Sequence, residues 1–177
     1  MRRAPVVAGL VAVVVAALVA LFALSPNDAE RREAAPLVGK PAPAIKATTI
    51  DGDHFDLDAL RGGWVLVNFF ATWCGPCKVE QPELIRFAEE HSGSDFVVSI
   101  SLNEGPADAK KFFAANGGDW PVIAQGNGSI ALDYGVIRLP ESYLVDPDGI
   151  VVAEFNGGVT AAGVDRLISG DSNGGGS

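Results

Sequence analysis

Cysteine is scarce in this chain. Among 177 residues there are two, Cys74 and Cys77, and only two histidines, His54 and His91. So few soft ligands exclude a multi-disulfide scaffold and a four-cysteine zinc site. Basic charge is also short. Against 22 Asp and Glu stand 13 Lys and Arg, for a formal net charge of −9. A nucleic-acid partner is therefore not expected, because such proteins present a basic face. No segment repeats another. The hydrophobic fraction of 48% is that of a globular protein, and the length suits one domain with attachments.

Much of the apolar content sits at the start. Val6 to Leu24 contains no charged residue, and at 1.5 Å per residue it matches the ~30 Å hydrocarbon core of a bilayer. Arg2 and Arg3 precede it, while Asp28, Glu30, Arg31, Arg32 and Glu33 follow. Positive charge before the run keeps that end cytoplasmic and puts the rest of the chain outside. The run is longer than the apolar part of a signal peptide, and Pro26 follows the best cleavage candidate, Ala23-Leu24-Ser25. An uncleaved anchor is therefore expected, with a cleaved signal as the alternative. All 22 acidic residues lie beyond the run, which serves solubility or a preference for basic partners. The expected organisation is an anchor over 1–25, a linker over 26–38, one folded domain over 39–169 and a disordered Gly/Ser-rich tail over 170–177.

Within the domain, Ala44 to Leu57 reads as a hairpin about Asp51-Gly52. Trp64 to Phe70, WVLVNFF, is a nearly continuous apolar run, as in a strand buried on both faces. A helix follows from the cysteines to about His91, with a kink expected at Pro82. Phe96 to Leu102 predicts a strand, and Pro106 to Asn116 a helix opened by its proline. Ser129 to Tyr134 predicts a short helix. Strands over Ser142–Val145 and Ile150–Phe155 flank a turn, and a last helix covers Thr160–Ile168 with Thr160 as N-cap. The fold class is α/β: a central mixed sheet flanked by helices, with an N-terminal hairpin extension and one preceding transmembrane helix.

The two cysteines are three apart, a spacing that random placement gives in about one arrangement in ninety. Cys74 follows the buried strand and opens a helix. Unpaired N–H groups and the positive end of the helix dipole there favour thiolate, the nucleophilic form. Cys77 lies one turn on and closes the ring, so Cys74 attacks and Cys77 resolves. A zinc or copper site would need ligands that His54 and His91 are not spaced to provide. A purely structural disulfide would close too short a loop to stabilise much.

The run Phe69-Phe70-Ala71-Thr72-Trp73-Cys74-Gly75-Pro76-Cys77 resembles the active-site segment of thioredoxin-fold proteins. With Glu80 and the segment GVIRLPESYLVD over 135–146, it resembles membrane-anchored thiol–disulfide proteins of the TlpA, ResA and DsbE/CcmG type. On its own residues, Pro140 reads as an ordinary proline opening a strand. The resemblance implies instead a cis-proline facing the dithiol, with Leu139, Pro140 and Trp73 contacting the bound substrate. It further implies an extracytoplasmic oxidoreductase without a cofactor, reducing exported proteins such as apocytochrome c and re-reduced by a membrane electron donor. A general reductase or oxidant of exported proteins is the nearest competitor, and a dithiol copper chaperone a more distant one. Thioredoxins carry an aspartate six residues before the first cysteine. Asn68 stands there and cannot take a proton, so Glu80, one turn beyond Cys77, is the candidate proton acceptor. Glu104, after the second strand, reads as a solvated loop charge or part of an acidic rim, and Phe112, Phe113, Trp120 and Tyr143 read as core.

Overall fold

The computed structural model describes residues 37–172 apart from 92, 94, 95 and 125–127. The expected membrane segment, nearly all of the linker and the last five residues of the tail lie outside the described residues. No helix among the described residues is long and apolar enough to cross a membrane.

A short antiparallel hairpin comes first, β1 (Lys46–Thr48) and β2 (His54–Asp56). The Thr49 N–H donates to the Asp53 carbonyl, which leaves Ile50, Asp51 and Gly52 to make the turn. Gly52 has φ +97°, a value that favours glycine. A five-stranded sheet follows in the order β5-β4-β3-β6-β7. Its strands are β3 (Val65–Phe70), β4 (Phe96–Ser101), β5 (Val122–Ile123), β6 (Glu141–Val145) and β7 (Val151–Asn156). β3 runs parallel to β4 and antiparallel to β6. All six β3 residues are buried, which is why the run is apolar without alternation.

The two faces of β3 feed separate cores. Val65, Val67 and Phe69 pack with Val98, Ile100, Tyr134 and Tyr143. Leu66 turns the other way, onto Leu84, Phe87, Leu144 and Val164, as the period of two demands. Helix α1 (Gly75–Glu90) crosses from β3 to β4. Its buried residues are Cys77, Glu80, Gln81, Leu84 and Phe87, one helical stripe at three- and four-residue steps. Three of the five are not hydrocarbon, which marks the stripe as more than packing. The helix continues through Pro82.

The remaining helices are α2 (Pro106–Asn116), α3 (Gly128–Tyr134) and α4 (Ala161–Ser172). The last runs past Gly170 to Ser172, into the first residues of the expected tail, and the remainder of that tail lies outside the described residues. Each added residue of an established helix gains a backbone hydrogen bond, and glycine costs only about 1 kcal/mol there. β5 is absent from the sequence reading because two residues show no period. The chain joins the domain beside β7: the Gly39 N–H donates to the Val151 carbonyl, and Val151 N–H to that of Lys40.

Candidate active site

Cys74 caps the N-terminus of α1 and is joined by a disulfide to Cys77. The Cys77 N–H points at Cys74 Sγ at 3.2 Å, and a sulfur held this way is stabilised as a thiolate. Both sulfur-bearing residues are nearly covered, at 5% and 2% exposure. An attacking sulfur must reach its substrate, yet in this oxidised state the disulfide lies within an apolar cluster with Phe70, Ala71 and Phe112. What separates the two cysteines is the cleft above them. Cys74 lines it with Trp73, Pro76, Ile137 and Leu139, and Cys77 does not.

Trp73 stands on the cleft rim, 67% exposed, so it flanks the disulfide rather than covering it. The opposite wall is the loop before β6. Its Leu139–Pro140 peptide is cis, and Leu139 packs against the cluster that holds both cysteines. The β3–β6 register pairs Phe69 with Glu141, which puts Pro140 beside the end of β3, where the motif begins. The Pro140 carbonyl accepts from the Gly157 N–H at 3.1 Å. The structure thus brings Trp73, Cys74 and Leu139 to one cleft, with Cys77 bonded beneath Cys74 and Pro140 next to Leu139.

Glu80 lies on the buried stripe of α1 at 5% exposure. Its Oε1 accepts from the Val159 N–H at 2.8 Å, and Oε2 from Asn68 Nδ2 at 3.1 Å. Burial pushes this carboxyl above the ordinary carboxylate value, and those two hydrogen bonds pull it partly back. A solvated helix charge is therefore excluded. Glu83, one turn on, accepts from the Ala161 N–H at 3.0 Å. The segment leading into α4 is thereby tied to the dithiol helix at two points.

Two further carboxylates matter. Glu104 is not the solvated charge expected of it. It accepts from the Thr72 N–H at 2.8 Å, from the Thr72 hydroxyl, and from the Ser101 hydroxyl at 2.9 Å. It therefore fixes the loop that delivers Cys74. Its partner Thr72 is 32 residues away, beyond the reach of any local pattern. Glu141 escaped notice because it follows Pro140 at the start of a strand, yet it is 1% exposed. Its Oε1 lies 2.5 Å from the Tyr143 hydroxyl, which is also 2.8 Å from the Tyr134 carbonyl. Tyrosine has one hydroxyl hydrogen and a carbonyl only accepts. The two acceptors share that hydrogen, and the Glu141 carboxyl is the closer of them. Burial, the first cause, raises this carboxyl as well.

A pH dependence of stability follows. Glu141 binds its proton more tightly folded than unfolded, where a value near 4.3 applies, roughly. Its contribution is complete below that value and is lost as pH rises through the raised folded value. The urea midpoint should therefore fall as pH rises above about 4 and through the raised folded value. Glu141→Gln should flatten the fall, leaving the part due to Glu80, which has the same sign. An unchanged slope in Glu141→Gln would show that Glu141 does not hold the proton.

Among the described residues, no three of His, Cys, Asp and Glu cluster so as to hold a metal ion. A dithiol at a helix N-terminus, faced by a cis-proline on a mixed five-stranded sheet, defines a thioredoxin-fold thiol–disulfide oxidoreductase. Comparison with known proteins carries the assignment further. The AhpC/TSA family matches residues 38–154. The thiol–disulfide oxidoreductase ResA of Bacillus thuringiensis subsp. konkukian is 32% identical over 132 residues, 74% of this chain and 76% of that protein. The thiol:disulfide interchange protein HelX of Rhodobacter capsulatus is 33% identical over 150 residues, 83% of each. A thiol:disulfide interchange protein of Chlorobium tepidum has a crystal structure that superposes with a TM-score of 0.66 at 29% identity, covering 73% of this chain and 93% of that one. The chain belongs to the AhpC/TSA family, among the thioredoxin-like thiol–disulfide oxidoreductases of the TlpA, ResA and DsbE type.

Proposed function

We propose that the protein is a membrane-tethered, extracytoplasmic reductase of disulfides in exported proteins, with the CxxCH cysteines of apocytochrome c as its substrate. The observation that carries this reading is the cleft, which Cys74 and not Cys77 lines, beside the cis-Pro140 loop. Residues 1–25 anchor the chain, 26–38 tether it, and the domain beginning near residue 39 works outside the cytoplasm.

In the reduced enzyme, the Cys74 thiolate attacks one sulfur of the substrate disulfide. A mixed disulfide forms and one substrate thiolate leaves. Cys77 gives its proton to Glu80 and attacks Cys74 Sγ, which expels the second substrate sulfur. Two electrons have passed to the substrate, and the Cys74–Cys77 disulfide remains. Trp73, Leu139 and Pro140 hold the substrate chain across the cleft, and a membrane dithiol donor restores the reduced state. No cofactor enters.

The dithiol's equilibrium reduction potential tests the direction. A value below about −230 mV is expected, as for thioredoxin-like reductants, whereas one at about −120 mV would make the protein an oxidant. A reporter fused after Ser177 should be active only outside the cytoplasm, and activity inside would refute the proposed topology.

A further inference from the structure

From Glu80 Oε2 a chain of hydrogen bonds leads into the sheet. Asn68 Nδ2 donates to that oxygen at 3.1 Å, and Asn68 Oδ1 accepts from Ser99 Oγ at 3.3 Å. Ser99 Oγ accepts in turn from Trp120 Nε1 at 2.9 Å. Asn68 and Ser99 are each 1% exposed and face each other in the β3–β4 register. The Trp120 ring is held edge-on by Phe113 at 5.6 Å.

Every donor in this chain points toward the carboxylate, and the reason lies at its far end. An indole N–H only donates. Ser99 must accept from it, which frees the serine's own hydrogen for Asn68 Oδ1. An amide that accepts on its oxygen side presents its NH₂ on the other. The other NH₂ hydrogen goes to Ser142 Oγ at 3.0 Å, a hydroxyl able to donate as well as accept, so without the Ser99 anchor the amide can turn and offer its oxygen to a protonated carboxyl.

We propose that Trp120 and Ser99 are positioning residues of the redox site: they lock the Asn68 amide with its NH₂ toward Glu80 and hold Glu80 in its proton-accepting form. This rests on the reading of Glu80 as the acceptor for the Cys77 proton. The other groups that meet Glu80 carry no charge: the Val159 N–H ahead of α4, and Gly158 beside it. On its own helix, Cys77 lies one turn before it on the same buried stripe. Burial works against the ionised form, and the aligned donors, each polarising the next, work for it.

The test uses the full-length reduced protein, with two readouts against pH: the ¹³C resonance of the Glu80 carboxyl and the alkylation rate of the thiols. In Ser99→Ala the Glu80 midpoint should rise by about one pH unit, the effect of losing one oriented hydrogen bond to a charged group. Ser99→Thr, which keeps the hydroxyl, should restore it. Trp120→Phe should shift it in the same direction, and this variant decides the matter if Ser99→Ala does not fold. An unmoved Glu80 midpoint in the folded variants would overturn the proposal. If the midpoint moves while the alkylation profile stays, the positioning stands and the role of Glu80 toward Cys77 falls instead.

Discussion

Cys77→Ser should stop turnover and leave Cys74 joined to its substrates in mixed disulfides. Resolution is intramolecular: Cys77 is one helical turn from Cys74, and the two already bond to each other. A held nucleophile outpaces an external one by roughly 10⁵-fold or more in effective concentration, and that advantage vanishes with the sulfur. The trapped species should be visible as high-molecular-weight bands on non-reducing gels, cleared by added thiol. Cys74→Ser should trap little, because Cys77 does not line the cleft. In the reduced wild type, Cys74 should alkylate faster than Cys77, its sulfur being the one held at the helix end. Trapping by Cys74→Ser, or equal alkylation of the two, would reverse the assignment of attacking and resolving sulfurs.

Glu80→Gln should slow thiol exchange by about 10²-fold at neutral pH, the size of a lost general base. Two effects compete. Removing a buried negative charge lowers a neighbouring thiol pKa, while removing the proton acceptor slows resolution, and following alkylation against pH separates them. The sequence suggests an intact fold, since Gln is isosteric and a good helix former. The structure adds a cost. If Gln keeps the Val159 bond through its oxygen, its NH₂ meets the NH₂ of Asn68, two donors face to face. An unmet buried donor costs about 1–3 kcal/mol, so the thermal midpoint should fall as well. Unchanged thiol titration and unchanged exchange rate together would leave Glu80 with a structural role alone.

How far the site could be read in advance depended on how local each signal was. The strand–CxxC–helix unit is contiguous, and its boundaries came within a residue because β3 is apolar but for Asn68 and Cys74 caps the helix directly after the turn. Pro106 to Asn116 was legible in full, with proline at one end and glycine after the other. The cis state of Pro140 came only from the family resemblance, since nothing in LPES alone distinguishes it. Glu104 was misjudged because its partners are Thr72 and Ser101, and a carboxylate's burial is decided by the residues that fold over it. Glu141 and the ring nitrogen of Trp120 were missed for the same reason. A side chain can be sorted as core from sequence, but whether its one polar atom is employed depends on contacts across the sheet.

The strand order gives the site one further property. The chain leaves β3 toward β4 and β5 on one side, and returns to its other side through β6. β3 is therefore the topological switch point of the sheet, and crevices at the carboxyl ends of strands there are where open α/β folds place their ligands. The dithiol begins where β3 ends, and Pro140 stands where antiparallel β6 starts, at the same end of the same crevice. Their meeting is set by chain path, not by loop length. Insertions elsewhere, in the β1–β2 hairpin or between α2 and β5, would alter which partners approach and leave the redox pair in register.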